Sequence, residues 1–489
     1  MAKIWETSIP TEGGGLDPSI DAFLSSTSVD RRLLPEDLEG SIAHAAMLGE
    51  RGILPQATAD ELGRGLAALA VGAEEGSLVV DPAAEDIHSF IEAELTDRMG
   101  DVGRSLHAGR SRNDQVALDL RLWLRKASRE ARLALLDAID ALRELASKNT
   151  GSLMPGYTHM QRAQPVTFAH HLLAWCAALE RDYGRFEDAD ARADESPLGA
   201  CALAGTGLPI DREGTARALG FSRPARNSMD AVADRDACVE FASAAATLLM
   251  HLSRYCEEIV LWASAEFAFV AIDQSCSTGS SVMPQKRNPD PAELIRGKSG
   301  RAYGDLVALL VMQKGLPLAY DRDLQEDKAL VFDAGDTASS CVSAFARLVK
   351  ALEPKAERMR EAAEDGCLWA ADAAEFLVLR GVPFRTAYAA GRKLVEARAA
   401  AAGPSKLGRS PAVGAVIADL GAEGLGALHS AWIGVDPGEL SRYLALDACL
   451  ARRDLIGGPA PSRARIEIEM LGGFVAEKRA SLKKAAGRG

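Results

Sequence analysis

Long apolar runs are absent from this chain of 489 residues. Every greasy stretch is broken by Arg, Glu or Asp before it reaches the ~18 residues that suggest a membrane span, so no membrane role is expected. Paired cysteines are also lacking. The eight cysteines (Cys176, Cys201, Cys238, Cys256, Cys276, Cys341, Cys367 and Cys449) are scattered with no C-x-x-C pair, and no secretory leader pattern opens the chain. A disulfide framework is therefore not expected, and a reducing cytoplasm is the expected compartment. Positive charge is in deficit: 69 acids outnumber 56 bases, for a net charge of -13, so a nucleic acid would meet repulsion. Aromatic residues make up only 5%, yet 47% of the chain is hydrophobic and 26% charged, enough for a large core and unlike a disordered chain.

Several catalytic signatures are missing as well. His44, His88, His107, His170, His171, His251 and His429 show no H-E-x-x-H or other ligand spacing, so no metal is expected. No G-x-x-x-x-G-K-[ST] phosphate loop and no G-x-S-x-G elbow occurs, and no cofactor is expected.

Glycine and proline are missing where their absence matters most, because both interrupt helices. From Ser111 to Thr150 neither occurs, and Val116, Leu120, Leu124, Ala127, Ala131, Leu135, Ile139, Leu142 and Ala146 recur in steps of three and four. From Ala225 to Thr278 neither occurs again, which predicts a rod of about 60 to 70 Å. Further helices are predicted after Pro165, placed to start one, and around Ala292 to Gln313 and Leu324 to Leu352. Strand alternation is almost absent, Ser77 to Asp81 being too short to count. The fold class is mostly α, with a central antiparallel bundle of five long helices.

Proline punctuation sets the expected domains. Pro10, Pro18, Pro35, Pro55 and Pro82, with the Gly13-Gly14-Gly15 run, mark an N-terminal helical domain over 1–107. The bundle occupies 108–354. Breaks at Gly381-Val382-Pro383, Gly403-Pro404 and Gly457-Gly458-Pro459 define a small C-terminal helical domain over 355–489, with a frayed basic tail. No internal repeat of 20 to 50 residues suggests a solenoid. Phe241 to Ala246 and Leu248, Leu249 and Leu252 offer a second greasy side, for which oligomerisation is the expected outlet.

Three clusters carry chemistry. Cys276 to Asp290 (CSTGSSVMPQKRNPD) is a small polar loop expected to move, with Ser280, Ser281, Lys286 and Asn288 able to build an oxyanion site; an ordinary interhelical linker is the alternative. Gly156 to Pro165 sets Thr158 beside His159 in a turn before a helix, where His159 is either a proton shuttle or a surface cap. Gly109 to Gln115 places Arg112, a carboxylate fork, and Asn113 at a helix start, though charged helix starts are common without function.

Taken together, HAGRSRNDQVALDLRLWL, GYTHMQRAQPVTFAHHLLAW, SPLGACALAG with PIDRE, NSMDAVADRD, TGSSVMPQKRNPDPAELIRGKSGR and KGLPLAYDRDLQEDKALVFD resemble the argininosuccinate lyase branch of the aspartase/fumarase superfamily. The resemblance runs in order from about Asp30 to Asp333 and continues more weakly through RGVPFRTAY. It implies a three-domain homotetramer with a twenty-helix core and active sites shared by three subunits. It also implies elimination of an amine from an N-substituted aspartate to leave fumarate, through an aci-carboxylate dianion. By motif position it implies Ser280 as base, His159 with Thr158 on the substrate carboxylate and the leaving nitrogen, and Lys286 beside the developing charge. Arg112, Asn113 and Ser281 would hold the succinyl part, with Asn288 among the donors around its carboxylate; Tyr320, Gln325 and Lys328 would grip the amine-bearing half, Asp290 would meet that half or a second succinyl group, Ser26 and Asp30 match N-terminal contacts, and Met283 would bind substrate.

Departures fall where relatives differ. Ile4-Trp5-Glu6 and the glycine run replace a W-G-G-R-F opening, Ala108 replaces a threonine, Asp321 an asparagine and Tyr388 a histidine. These departures put the amine half in question; the chain resembles the members of the branch that cleave ethylenediamine-N,N'-disuccinate, which the resemblance implies as the expected substrate, with argininosuccinate as the alternative. A catalytically silent crystallin-like structural protein, and a helical scaffold for acidic partners, are the readings from other classes.

Overall fold

The structure is a computed structural model that describes residues 17–402 and 411–486. The Ile4-Trp5-Glu6 opening, the Gly13 to Gly15 run and the Gly403-Pro404 break lie outside the described residues. At the N-terminal side, α1 (Leu34–Glu50), α2 (Gln56–Glu74) and α3 (Ile87–Met99) pack on one another and on the first long helix. That helix, α4 (Arg112–Ser147), starts at a capping box in which Ser111 and Asp114 satisfy each other's backbone N–H groups. Its predicted stripe is the buried one: Leu120, Leu124, Leu135, Ile139, Leu142 and Ala146 all face the core.

A hairpin, β1 (Leu153–Thr158) and β2 (Gln161–Thr167), joins α4 to α5 (Phe168–Arg192). The helix expected to begin at Pro165 instead starts three residues later, with Thr167 capping the His170 N–H. Pro155 and Pro165 stand opposite each other in the ladder, a placement that a two-stranded edge tolerates. The next long helix, α6 (Asp236–Ala263), spans about 42 Å, shorter than the predicted rod. Side chains break the window without glycine or proline: Asn227 caps a separate short helix, Ser228–Ala233, and Asp234 and Arg235 interrupt the chain before α6. After α6, β3 (Val270–Ile272) leads to the polar loop, α7 (Asp290–Gln313) and α8 (Asp327–Lys350), and β4 (Leu352–Pro354) closes on β3.

The directions of the five long helices follow from what meets at their ends. Arg112 at the start of α4 and Lys328 at the start of α8 line one pocket, and Arg235 before α6 bonds Asp327. α4, α6 and α8 therefore start at the same end. The hairpin begins α5, and the polar loop begins α7, at the opposite end, where β3 meets β4 after α8 and Tyr157 packs on Phe267 at 6.0 Å between ring centroids. The bundle is antiparallel.

α6 packs against the four other long helices, so the expected second greasy side, Phe241 to Ala246 with Leu248, Leu249 and Leu252, is covered within the chain apart from Ser243. The uncovered apolar face is on α7 instead. Tyr303, Val307 (58% exposed), Leu310 and Val311 (64%) point outward, and Gly297, Gly300 and Gly304 have open space where a Cβ would stand.

Beyond β4, helices α9 (Ala356–Asp365), α10 (Ala370–Val378), α11 (Phe384–Ala401), α12 (Val413–Leu428), α13 (Pro437–Leu444) and α14 (Leu446–Arg452) enclose a second core around Trp369, Phe376 and Trp432. The last helix, α15 (Pro461–Ala486), leaves that core and returns to the bundle. Ala464, Leu471, Val475 and Leu482 join the main core, and Lys478 pairs with Glu187 at 3.0 Å. The basic tail expected to fray is thus helical as far as Ala486, because its apolar face has a partner.

One buried chain of charge ties the bundle's starting end together. Arg235 donates to Asp327, and Lys328 Nζ donates to the other Asp327 oxygen at 2.8 Å. Burial pushes the Asp327 carboxyl up, but Lys328 and Arg235 together bring it below its ordinary value. Its contribution to stability is therefore present above the unfolded carboxylate value near ~4 and is lost as pH falls through the lower folded value. Asp327→Ala is expected to destabilise the protein by about 3–5 kcal/mol, read from denaturant midpoints, because Arg235 would stay buried without its partner. A loss under about 1 kcal/mol would show that the pair is not what holds the two helices.

Candidate functional site

Seven residues expected at the site meet in one cavity of about 200 Å³: Ser26, Asp30, Arg112, Asn113, Tyr320, Gln325 and Lys328. Arg112 is the first residue of α4, so the capping box that begins the helix also aims it. Its guanidinium donates to Ser89 Oγ at 2.9 Å and pairs with Asp86 at 3.1 Å. Asn113 donates to the carbonyl of Ala202 at 3.1 Å. The loop that carries Ala202 is docked by Asp114, whose second oxygen accepts from the Gly199 and Cys201 N–H groups at 2.9 and 2.8 Å. Burial lifts the Asp114 carboxyl to about 6 despite those bonds.

The other wall comes from the segment before α8. Gln325 and Arg322 both donate to the carbonyl of Leu24, which clamps this segment onto the N-terminal region. Ser26 donates to Asp30, and the other Asp30 oxygen accepts the Ile87 N–H at 3.2 Å. Burial raises both the Asp30 carboxyl and the Tyr320 phenol. Glu85, Asp86, His88 and Arg322 also line the cavity, and the sequence reading did not single them out. Two of them had a local signal: Asp86 caps α3 through Ser89, and His88 follows in the same turn.

Thr158 and His159 stand elsewhere, at the hairpin tip. His159 and Met160 both take positive φ (54° and 56°), the pair of left-handed residues that a two-residue turn of the primed type needs. Non-glycine residues adopt this conformation at a cost, a feature that clusters at functional positions. Both Thr158 and His159 are exposed, and among the described residues neither side chain has a hydrogen-bond partner. Arg162 on β2 anchors the hairpin to Asp365 at 3.0 Å.

The polar loop forms the third cluster. Thr278–Gly279 pairs antiparallel with Arg287–Asn288, closing the loop on itself. Inside it, Ser280 Oγ accepts N–H bonds from Val282 at 3.2 Å and Met283 at 3.0 Å. Two amide dipoles thus converge on one hydroxyl oxygen, the arrangement that stabilises negative charge there. Thr278 donates to Asp290, and Asn288 Nδ2 reaches Thr278 Oγ1 at 3.4 Å. Ser281, Met283 and Lys286 are exposed.

One chain does not bring the three clusters together. α4 alone is about 54 Å long, with Arg112 at its start and the hairpin beyond its end. The cavity is at the starting end of α4, α6 and α8, and the hairpin and the polar loop are at the other.

Comparison with known proteins places the chain. A protein-family profile described as Lyase matches residues 13–304. Argininosuccinate lyase of Pelotomaculum thermopropionicum is 53% identical over 395 residues, covering 81% of this chain and 85% of that one. The argininosuccinate lyase of Clostridium beijerinckii is 44% identical over 467 residues, covering 95% and 97%. Among solved structures, EDDS lyase in complex with formate superposes with a TM-score of 0.80 at 29% identity, covering 97% of this chain and 93% of that one. Class II fumarase of Schistosoma mansoni, at 16% identity and a TM-score of 0.67 over 80% of this chain and 90% of that one, shares the fold. The chain belongs to the lyase family, in the argininosuccinate lyase branch of the aspartase/fumarase superfamily, and is a carbon–nitrogen lyase that releases fumarate.

Proposed function

We propose that this lyase cleaves argininosuccinate to arginine and fumarate. The observation that carries the reading is identity of 44 to 53% with argininosuccinate lyases over most of both chains, against 29% with EDDS lyase. The cavity is compatible with it: Asp30, Glu85 and Asp86, set among Arg112, Arg322 and Lys328, offer partners of both signs to the guanidinium, ammonium and carboxylate of an arginine tail. The expectation of ethylenediamine disuccinate as the favoured substrate gives way accordingly. Of the departures that suggested it, Ala108, Asp321 and Tyr388 do not line the cavity, and Tyr388 is exposed on α11.

In this reading the working site joins the cavity of one subunit to the hairpin tip and the polar loop of others in a homotetramer. Two features support it: the length of α4, and the outward stripe on α7, where glycines permit close approach of a second helix. Ser280 Oγ removes the proton from the carbon beside the carboxylate, its negative charge eased by the Val282 and Met283 N–H groups. The electron pair left on that carbon forms the double bond as the carbon–nitrogen bond breaks. Lys286 and Asn288 hold the carboxylate as its second negative charge develops. Thr158 and His159 attend the leaving nitrogen, where the imidazole manages the proton. Arg112, Asn113 and Ser281 hold the succinyl part, with Met283 and Asp290 alongside. Tyr320, Gln325, Lys328, Ser26 and Asp30 grip the arginine part. No metal or cofactor is assigned a part, and the cytoplasm is the proposed compartment.

Parallel incubation with argininosuccinate, ethylenediamine disuccinate, adenylosuccinate, malate and aspartate, followed by ultraviolet absorbance of fumarate, is expected to rank argininosuccinate first. Faster release from the disuccinate would overturn the assignment. Ser280→Ala is expected to lower kcat by about 10³-fold with an unchanged elution volume on size exclusion, and near-native turnover would refute Ser280 as base. His159→Asn is expected to cost on the order of a hundredfold, and a change below about threefold would leave His159 a structural turn residue.

A further inference from the structure

Beneath the cavity lies a polar cluster that the proposed chemistry does not use. Asp37 on α1, His88 on α3, and Gln115 and Asp119 on α4 are 1%, 5%, 4% and 0% exposed. The nearest donor and acceptor atoms of Asp37, His88 and Asp119 lie within 4.8 Å of one another. Asp37 has three partners: His88 Nδ1 bonds one oxygen, Gln115 Nε2 donates to that same oxygen at 2.7 Å, and Ser41 Oγ donates to the other at 3.1 Å, which leaves that oxygen room for one more donor. Asp119 is the opposite. Both its oxygens are buried without a hydrogen-bond partner, and the His88 ring nitrogen is 3.5 Å from the nearer one.

Two adjacent buried carboxylates cannot both stay ionised at acceptable cost, and a buried polar oxygen left unbonded costs more than the bond it lacks would yield. A single proton on Asp119 resolves both problems, because the acid can then donate to Asp37. We propose that Asp119 is carried as a neutral carboxylic acid, a positioning residue whose hydrogen bond fixes Asp37 on His88 and so holds His88 as an imidazolium at the floor of the substrate cavity. The charge pattern agrees. Burial and the neighbouring Asp37 push Asp119 well above the ordinary carboxylate range, while the bond and charge of His88 outweigh burial and bring Asp37 down to about 2. Burial opposes charge on His88, and Asp37, Asp86 and Asp30 outweigh it. Since Nδ1 is turned to Asp37 and the ring lines the cavity, the edge left for a bound carboxylate carries Nε2–H.

This inference rests on reading the Arg112 cavity as part of the substrate site, and its test separates the two. Asp119→Ala and Asp119→Asn are compared as full-length tetramers with whichever adduct the wild-type enzyme turns over. Asp119→Ala, which removes the donor, is expected to raise KM about tenfold with kcat within about threefold. Asp119→Asn, whose amide N–H replaces the acid O–H, is expected to return KM to within about threefold of wild type. Equal losses in both variants, or a loss of kcat in step with thermal stability, would reduce Asp119 to a packing role and overturn the proposal. Should the alanine variant fail to assemble, the asparagine variant decides: a KM near wild type supports the neutral acid, and a tenfold rise contradicts it. Stoichiometric divalent metal in the wild-type tetramer that is absent from Asp119→Asn would also overturn it. The cavity reading fails separately, if Arg112→Ala leaves KM unchanged.

Discussion

A straight helix of 36 residues cannot bring its own two ends to one small substrate. α4 carries Arg112 and Asn113 at one end and leads into the His159 hairpin at the other, and the remaining long helices repeat that division. Everything proposed about catalysis follows from the separation. The cavity collects charged and polar groups, while the loop and hairpin, which hold Ser280 and His159, stand apart from it at the other end of the bundle. In the proposed tetramer such halves become a site by association, and the outward apolar stripe of α7 is the surface offered for it.

The division of labour is also electrostatic. In the proposed mechanism charge on the substrate is met in the cavity by formal ions, Arg112, Arg322 and Lys328 beside Asp30, Glu85 and Asp86. In the same mechanism the loop divides its work: the two N–H groups on Ser280 Oγ are already oriented to ease charge on the base, and Lys286 with Asn288 meets the charge that develops on the substrate carboxylate. A hydroxyl is a weak base, and burying it between subunits would strengthen those same dipoles by excluding water. Asp327 and Asp114 support the cavity from behind, one by accepting from Lys328 and the other by docking the loop whose Ala202 carbonyl accepts from Asn113.

Much of this was legible in the sequence because it depends on local rules. The absence of glycine and proline and the spacing of apolar residues located α4 and its buried stripe; the cavity residues from Ser26 to Lys328 came instead from the family resemblance. What was illegible depended on distant partners. The start of α6 is delayed to Asp236 by the Asn227 cap of a separate short helix, by Asp234 and by the burial of Arg235 on Asp327, the last of which no local pattern announces. The hairpin was missed because its prolines read as punctuation and because His159 and Met160 adopt a backbone that their side chains disfavour. The basic end of α15 reads as a frayed tail because its partner, the bundle, is more than two hundred residues away in sequence. His88 looked like an ordinary isolated histidine until α1 and α4 brought Asp37 and Asp119 beside it.

Subunit mixing tests the central claim most directly. Arg112→Ala and His159→Asn homotetramers are prepared separately, dissociated, reassociated together and assayed for fumarate. If each site draws these residues from different copies, some sites in the hybrids contain neither substitution, and activity rises well above that of either parent. Mixtures no more active than their parents, with hybrid tetramers demonstrably formed, would contradict the account.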